Sequence, residues 1–235
     1  MTWSILARDD AGRFGVAIAS RFFAVGALCI HTRRGVGALA TQALLNPLYG
    51  PAGLDLLGTG RSAAEVVTAL TAADAGRDHR QLHVLPAQGD GAAHTGSACV
   101  ETCGHLVEAG FSVAGNMLAG PRVIEATAQA YRDAAGRPLA QRLIAAMHAG
   151  EAAGGDQRGK QSAALRIQGD EDRAELDLRV DDHADPLAEL ERLYRVSLER
   201  FQPFIACLPG SHDPVGLTDR AEIEARIAAF HARRG

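Results

Sequence analysis

The segment Thr2-Trp-Ser-Ile-Leu-Ala-Arg8, followed by Asp9-Asp-Ala-Gly-Arg13 and Phe14-Gly-Val-Ala-Ile-Ala-Ser-Arg21, decides the fold of this 235-residue chain. Apolar and polar residues take turns in the first part, and the last part is a second short apolar run. The middle part has the composition of a turn, in which Gly12 can adopt a positive φ. The pattern predicts a β-hairpin whose first strand begins at residue 2.

Thr2 is the candidate nucleophile of this hairpin. A small residue at position 2 allows methionine aminopeptidase to remove Met1, and Thr2 then carries a free α-amine beside its own hydroxyl. Because an α-amine has a pKa near ~8, a useful fraction is neutral at pH 7 and can accept the hydroxyl proton. Threonine activated by its own terminal amine is an established form of nucleophilic catalysis. The alternative is an ordinary threonine at position 2.

The composition predicts a single globular protein without nucleic-acid or membrane partners. Hydrophobic residues make up 47% of the chain, and 24 basic against 28 acidic residues give a net charge of −4, so no basic face is expected. No run approaches the ~18 apolar residues of a membrane span, and the N-terminus lacks the features of a signal peptide. Four cysteines in a chain of this length do not make a disulfide framework, which favours a cytoplasmic location.

The order of the remaining elements predicts a layered α+β fold. Runs of strands alternate with runs of helices, and two antiparallel sheets with helices on both outer faces would bury every amphipathic segment. The two hairpin strands and the strands predicted at 25–32 and 36–42 are expected to form one antiparallel meander. Further strands are predicted at 81–85, 92–95, 111–116, 162–168 and 174–180. The helices are predicted at 53–57 and 63–73, after Pro121 and Pro138, at 187–200, and from Asp219.

Several motifs give the chain a resemblance to a known family. They are Thr-Trp-Ser-Ile-Leu-Ala-Arg-Asp (2–9), Val-Ala-Ile-Ala-Ser-Arg-Phe-Phe-Ala-Val-Gly (16–26), Gly-Ala-Leu-Ala-Thr-Gln-Ala (37–43), His-Thr-Gly-Ser (94–97), Gly-Asn-Met-Leu-Ala-Gly (115–120), Ala-Gly-Gly-Asp-Gln-Arg-Gly-Lys-Gln-Ser-Ala-Ala-Leu (153–165) and Asp-Leu-Arg-Val-Asp-Asp-His (177–183). With these motifs the chain is similar to the domain of unknown function 1028 family, and its opening resembles the N-terminal-nucleophile (Ntn) hydrolases. The resemblance implies a four-layer αββα sandwich over residues 1–200, followed by a C-terminal tail with a short helix at 201–235.

Four residues are predicted to carry the chemistry. Beside Thr2, strand pairing is expected to bring Ser20 and Arg21 close to the nucleophile. Arg21 would orient the partners of the amine or hold a substrate carboxylate, and its alternative role is that of a surface arginine. Asn116 ends a strand and leads toward a helix, and an amide donor there would stabilise an oxyanion. The alternative for Asn116 is a left-handed backbone conformation.

A second group of residues is predicted to bind the substrate. The amides of Gln42 and Asn46 would contact its polar groups, although capping of a turn is an equal alternative. The strand end at Thr95 and Gly96 would line the pocket with backbone amides. The glycine-rich loop at 154–162 would add further polar groups. These are Asp156, Lys160, Gln161 and Ser162.

No metal or cofactor is predicted. Cys99 and Cys103 lie near His94 and His105, but a zinc site needs a second ligand pair of similar spacing, which is absent. The Asp181-Asp182-His183 cluster is better explained by capping of the last helix of the domain. The isolated histidines, among them His83, are interpreted as structural.

The leading hypothesis is an amidohydrolase that cleaves a small-molecule C–N bond by attack of Thr2. The rival hypothesis is a non-catalytic ligand-binding or assembly protein on the same fold. A third possibility is internal autocleavage with Thr95 or Ser162 as the nucleophile. A small-molecule substrate and a homodimer are expected in the first case.

Overall fold

The structure, a computed structural model, describes residues 2–233, and its strands form two sheets. The strands are β1 (Thr2–Arg8), β2 (Phe14–Ser20), β3 (Ile30–Arg33), β4 (Gly37–Ala43), β5 (Arg80–Pro86), β6 (Ala92–Thr95), β7 (Gly104–Glu108), β8 (Phe111–Asn116), β9 (Ser162–Gln168) and β10 (Leu176–Val180). Sheet A has the order β10-β9-β2-β1-β8-β7, and sheet B has the order β3-β4-β5-β6. Every pairing is antiparallel.

Helices lie on the outer faces of both sheets. The α-helices of the described chain are α1 (Val25–Leu28), α2 (Tyr49–Gly58), α3 (Ala63–Ala72), α4 (Arg122–Asp133), α5 (Leu139–Ala152), α6 (Pro186–Glu199), α7 (Phe201–Ile205) and α8 (Arg220–Ala232). Helices α4, α5 and α6 pack on sheet A, while α2 and α3 pack on sheet B. The two sheets face each other, so the predicted four-layer αββα sandwich is confirmed.

The predicted hairpin sets the register of sheet A. Strands β1 and β2 pair from Thr2 opposite Ser20 to Arg8 opposite Phe14. Residues alternate between the two faces of a strand. Trp3 and Ile5 therefore pack into the core against the helices, whereas Leu6 and Ile18 pack into the core between the sheets.

The space between the sheets is apolar at one end and polar at the other. The apolar end contains Leu6, Phe14, Val16 and Ile18 from sheet A and Leu85 from sheet B. Strand β1 changes character toward its start, where Ser4 and Thr2 follow Leu6 on the same face. Buried polar side chains of both sheets collect at this end. They are Thr2, Ser4, Ser20, Gln42, Gln81, His83, Ser112 and Asn116.

Local signals predicted several element boundaries correctly. Ser62 accepts a hydrogen bond from the backbone N–H of Glu65, whose side chain in turn accepts from the N–H of Ser62, so the capping box of α3 is present. Asp185 caps α6 and Asp219 caps α8, as the sequence indicated.

The predicted meander is wrong, because β1 and β2 belong to sheet A whereas β3 and β4 belong to sheet B. The segment at 25–32 is not one strand: it forms the short helix α1 before β3. This helix carries the chain from one sheet to the other, and Gly26 lies so close to β9 that an added Cβ would be 2.3 Å from the Cβ of Ala164. Strand β7 and helix α7 were not predicted.

Candidate functional site

Four polar side chains form a row across one end of sheet A. The register places Ser162 opposite Ser20, Ser20 opposite Thr2, and Thr2 opposite Asn116 on four adjacent strands. The Oγ atoms of Thr2 and Ser20 are 3.1 Å apart. The Nδ2 of Asn116 donates to the carbonyl oxygen of Thr2 at 3.4 Å. Thr2 is therefore held on both sides within the sheet.

A cavity of about 350 Å³ opens beside this row. Thr2, Ser20 and Asn116 line it from sheet A, and Gln42 lines it from sheet B. Thr2 is 6% exposed, so its hydroxyl is held in the wall and is not on a frayed terminus. The remaining lining residues are Phe22, Val25, Cys29, Ala43, Leu44, Leu45, His79, Ala98, Cys99, Val100, Met117 and Arg158.

Backbone strain is concentrated around the cavity. Within residues 2–233, the residues other than glycine with a positive φ are Ala24 (52°), Ala43 (68°) and Met117 (51°). Ala43 and Met117 line the cavity, and Ala24 precedes the lining residue Val25. Left-handed conformations of this kind cost about 1–3 kcal/mol each and cluster at functional sites. The structure places this conformation at Met117, so the alternative considered for Asn116 is wrong by one residue.

A chain of hydrogen bonds beneath the cavity orients its amide groups. Ser4 Oγ donates to Gln42 Oε1 at 2.7 Å, and Gln42 Nε2 donates to Gln81 Oε1 at 2.7 Å. Gln81 Oε1 also accepts from Asn116 Nδ2 at 3.1 Å. Gln81 Nε2 donates to the carbonyl oxygen of Gly115 at 2.9 Å. The amides of Gln42 and Asn116 are thus fixed by one glutamine.

His83 sets the direction of this chain. Its Nε2 lies 2.9 Å from Ser4 Oγ, and its Nδ1 lies 2.8 Å from Ser112 Oγ. Complete burial, with a smaller contribution from His105, lowers the pKa of His83 to about 3, so the ring is neutral. Since the Ser4 hydroxyl hydrogen goes to Gln42, His83 Nε2 must donate to Ser4, and Nδ1 must accept from Ser112.

One charged residue of the cavity wall was missed by the sequence analysis. Arg158 lines the cavity. Hydrogen bonds to the Asp156 side chain fix the conformation of the loop that contains Arg158. Asp156 Oδ1 accepts from the backbone N–H of Arg158 at 2.8 Å, and its Oδ2 accepts from the backbone N–H of Arg21 at 2.8 Å. The Asp156 side chain is 1% exposed and lies 3.4 Å from Arg158 Nη2. Asp156 therefore shapes the site without lining the cavity.

Arg21, Lys160 and Gln161 lie outside the Thr2 cavity. They line a separate surface depression, in which Arg21 Nη1 donates to the carbonyl oxygen of Lys160 at 3.2 Å. Lys160 pairs with Glu151 at 2.9 Å and Asp185 at 3.0 Å. Partial burial lowers the pKa of Lys160, but the two carboxylates outweigh this effect, so the pKa is raised. The adjacent positions 20 and 21 point to different places because side chains alternate along a strand.

Asn46 supports the wall from behind. Its Nδ2 donates to Asp74 Oδ2 at 3.1 Å, and that oxygen also accepts from the hydroxyl of Tyr49 at 2.8 Å. The N–H of Gly76, together with these donors, holds the pKa of Asp74 well below its usual range. Arg80 joins the same carboxylate and also donates to the carbonyl oxygen of Leu44, a cavity residue. Asn46 is therefore part of the turn that fixes the loop after β4.

Thr95, Gly96 and Ser162 also have structural contacts in place of cavity contacts. Thr95 Oγ1 accepts from Gln81 Nε2 at 2.8 Å. Gly96 lies against the backbone of Asp78, where an added Cβ would be 2.3 Å from the carbonyl oxygen. Ser162 Oγ accepts from the backbone N–H of Val25 at 3.1 Å and donates to the carbonyl oxygen of Phe22.

Neither a metal cluster nor a membrane span is found in the described part of the chain. Residues 2–233 contain no group of three His, Cys, Asp or Glu side chains arranged to hold an ion. Their helices are too short or too polar to cross a bilayer. The four cysteines are unbridged.

A family model described as a family of unknown function, DUF1028, matches residues 2–190. The chain belongs to this family. A crystal structure of a DUF1028 protein from Silicibacter pomeroyi is 31% identical, with a TM-score of 0.85, and the match covers 93% of this chain and 96% of that chain. Anbu, described as an ancestral beta-subunit, from Yersinia bercovieri matches with a TM-score of 0.40 and 13% identity over 88% of this chain and 98% of its own. No curated protein matches the sequence.

Proposed function

We propose that this DUF1028 protein is an amidohydrolase of the Ntn type, which cleaves a C–N bond other than a peptide bond in a small molecule. The observation that carries the proposal is the hydroxyl of Thr2 in the wall of a cavity of about 350 Å³. A cavity of this size accommodates a small molecule. Removal of Met1 gives Thr2 the α-amine that acts as its base.

The reaction proceeds through an acyl-enzyme. The α-amine accepts the proton of Thr2 Oγ1 as this oxygen attacks the carbonyl carbon of the substrate. The tetrahedral intermediate collapses, the C–N bond breaks, and the leaving amine takes the proton from the α-ammonium group. Water, deprotonated by the same amine, then attacks the Thr2 ester and releases the carboxylic acid. Ser20 positions the hydroxyl and Asn116 positions the backbone of Thr2 throughout.

Gln42 is the donor that we assign to the oxyanion. Its Oε1 is held by Ser4, and one hydrogen of its Nε2 is donated to Gln81. The second hydrogen has no acceptor among residues 2–233, and Gln42 lines the cavity. Asn116 was the sequence-based candidate for this role, but its two amide hydrogens are donated to Thr2 and Gln81. A preorganised amide donor contributes roughly 3 kcal/mol to a transition state of this kind.

Replacement of Thr2 tests the proposal. The parent protein, with loss of Met1 verified by intact mass, is incubated with a panel of small amides, N-carbamoyl compounds and γ-glutamyl compounds. We expect Thr2→Ala to lose turnover by roughly 10³-fold or more, because no other atom replaces the nucleophile. Thr2→Ser should retain part of the activity, since it keeps the hydroxyl.

Thr68→Ala is the matched control, because Thr68 is exposed on α3 and should leave turnover unchanged. Equal turnover by Thr2→Ala and the parent would remove Thr2 from the mechanism. Retention of Met1, or binding of panel compounds without any cleavage, would favour the non-catalytic alternative. The cytoplasmic location and the homodimer remain predictions, and the solution mass measured by light scattering tests the latter.

A further inference from the structure

The main chain on both sides of strand β1 continues past Thr2, where β1 itself begins. On one side β2 leads into Arg21, and on the other side β8 leads into Met117. Because neighbouring strands lie roughly 4.8 Å apart, these two chains leave a gap one strand wide between them. The α-amine of processed Thr2 faces this gap.

The glycine-rich loop fills the gap. The backbone N–H of Gln157 donates to the carbonyl oxygen of Met117 at 3.4 Å, and Asp156 forms an antiparallel bridge with Leu118. Strand β1 is likewise antiparallel to β8. The segment 155–157 therefore follows the line of β1 on the far side of its first residue.

The carboxylate of Asp156 reaches the opposite side of the gap. Its Oδ2 accepts from the backbone N–H of Arg21 at 2.8 Å. In the pairing of β1 with β2, Thr2 faces Ser20, so this N–H belongs to the position that a residue before Thr2 would face. The carboxylate oxygen thus takes the place of a strand partner at the start of β1, next to the nitrogen that becomes the α-amine.

The Asp156 carboxylate has room for one more donor. Within residues 2–233 it accepts from the backbone N–H groups of Arg21 and Arg158, and from Nη2 of Arg158 at 3.4 Å. A carboxylate offers about four acceptor positions. The remaining position is available to a donor at the start of β1, and the side chain, at 1% exposure, is shielded from water.

Asp156 is also distinct in charge from the groups of the cavity wall. No carboxylate is among the described residues that line the cavity, and its titratable side chains are Cys29, His79, Cys99 and Arg158. Burial raises the pKa of Cys29 to about 12 and also raises that of Cys99, so both thiols are neutral at pH 7. The wall therefore supplies no anion for an ammonium group, whereas Asp156 does.

We propose that Asp156 is a positioning residue that binds the α-amine of processed Thr2 and directs its lone pair toward the hydroxyl of the same residue. The inference rests on the proposed function, in that it takes Thr2 to be the first residue. When the amine accepts the hydroxyl proton, it becomes an ammonium group beside the buried carboxylate, which stabilises it. Arg158 shares the carboxylate and limits this stabilisation, so the ammonium can still give its proton to the leaving amine.

Titration of the α-amine by NMR tests the inference without turnover. Each chain is produced as a fusion with a cleavable N-terminal carrier, so that Thr2 is the first residue, which intact mass verifies. In protein labelled with carbon-13 threonine, the Cα signal of Thr2 follows the ionisation of the amine, and Thr2→Ser identifies this signal. We expect Asp156→Asn to lower the α-amine pKa by about 1 or more, because a nearby opposite charge favours the ammonium form.

Asp185→Asn is the matched control. Asp185 pairs with Lys160 of the same loop at 3.0 Å, but it lies at the start of α6 and not at the start of β1. Its replacement should leave the α-amine pKa unchanged. An α-amine pKa that is the same in Asp156→Asn as in the parent would overturn the inference.

A second measurement needs no variant at position 156. Thr2 is 6% exposed, and both this burial and the charge of Arg158 favour the neutral amine. Without a carboxylate partner, the α-amine pKa would be lower in the folded protein than in the same chain unfolded in urea. We expect the folded value to equal or exceed the unfolded value, and a lower folded value would contradict the role of Asp156.

The panel of small amides separates this inference from the proposed function. A lowered α-amine pKa in Asp156→Asn without cleavage of any compound would refute the proposed function and leave the role of Asp156 in place. Cleavage that depends on Thr2, with an α-amine pKa unaffected by Asp156→Asn, would do the reverse. For a cleaved compound, the acidic limb of kcat/KM should move to lower pH in Asp156→Asn together with the amine pKa. A purely structural defect would lower kcat/KM without moving this limb.

Discussion

At the scale of single residues, the site depends on neutral hydrogen bonds in place of buried charges. His83 donates a hydrogen bond to Ser4, and Ser4 donates one to Gln42. Gln81 accepts hydrogen bonds from both Gln42 and Asn116. Each bond has a defined direction, so one reversed donor would leave a buried group unpaired, at a cost of about 1–3 kcal/mol. The neutral state of His83 is therefore a condition for the correct orientation of Gln42 and Asn116.

His83 makes stability depend on pH in the acidic range. Its pKa is about 3 in the folded protein, whereas an unfolded histidine has a pKa near ~6.5. Between these values the unfolded chain binds a proton that the folded protein does not, so acid favours unfolding. We expect the free energy of unfolding to fall by up to ~1.4 kcal/mol per pH unit from this group as the pH decreases from 6.5 toward 3.

Urea unfolding from pH 7 to pH 4 measures this effect. The matched variant is His83→Gln, which keeps a donor and an acceptor but does not titrate. Its stability at pH 7 should be lower by about 1–3 kcal/mol because the network is imperfect. The stability difference between parent and variant should shrink as the pH falls. A difference that stays constant over this range would show that His83 titrates normally in the folded state.

At the scale of elements, the site is assembled where strands end. Thr2, Ser20, Ser162 and Asn116 share one register row, and the segments that leave the sheet there form the walls. Helix α1 is one of these segments, and it lies on β9 because position 26 is glycine. The packing of α1 thereby determines where Val25 stands in the cavity.

Gly26→Ala tests this coupling. The added Cβ would be 2.3 Å from the Cβ of Ala164 on the central part of β9, so α1 must move outward. We expect a loss of about 1–3 kcal/mol in stability, as is typical of overpacking. Turnover or ligand affinity should fall as well, because Val25 moves with the helix. Thermal unfolding and calorimetric titration measure the two effects.

Gly58→Ala is the control for this substitution. Gly58 is the last residue of α2, and the nearest atom to its added Cβ is Arg33 Nη1 at 3.9 Å. Alanine there should be neutral or should stabilise the helix by up to ~1 kcal/mol. Unchanged stability and affinity in Gly26→Ala would mean that α1 adjusts without moving the cavity wall.

Features that depend on contacts between residues close in sequence could be predicted from the sequence, whereas contacts between distant segments could not. The hairpin register, and with it the pairing of Thr2 with Ser20, is encoded within 20 residues. The capping box at Ser62 is equally local. In contrast, Gln81 and His83 of sheet B form hydrogen bonds with Asn116 and Ser4 of sheet A. Nothing in the sequence around positions 81 and 83 indicates these contacts. The short apolar segment of α1 has the composition of a strand, but in the structure it is a helix packed on β9 and β2.

The two arginines illustrate the same limit within the site. Arg21 follows the strand of Ser20 directly, which made it the natural candidate for the cavity. Alternation and the turn after β2 send its side chain to the depression with Lys160. Arg158 reaches the cavity from a loop whose shape depends on the buried Asp156. Its position follows from a contact between distant segments, which a single sequence does not reveal.

At the scale of the whole molecule, the C-terminal tail stands apart from the site. Helix α8 packs on α7, and Ile227 is its buried residue. Arg200 and Glu224 form an exposed ion pair across this contact. None of the described cavity-lining residues lies beyond position 158. We therefore propose that residues 201–235 are an appendage to a domain at 1–200, which contains the cavity.

Truncation before Asp219 tests this division. The change removes one buried isoleucine and exposed ion pairs, which together contribute about 2–3 kcal/mol. We expect Tm to fall by roughly 4–12 °C, given the usual relation between stability and Tm at this chain length. The kcat/KM for any substrate found should stay within two-fold of the parent value. A large loss of activity in a folded truncated protein would assign α8 to the site.

The central location of β1 in sheet A affects when Met1 can be removed. Strand β1 is bracketed by β2 and β8, and residue 2 is already paired on both sides. A processing peptidase must bind the first residues as a loose, extended peptide, which the finished sheet does not offer. The proposed mechanism therefore predicts that Met1 is removed before β1 pairs with its two neighbours. We expect protein that folds with Met1 in place to keep it, and the intact mass of the purified protein measures this.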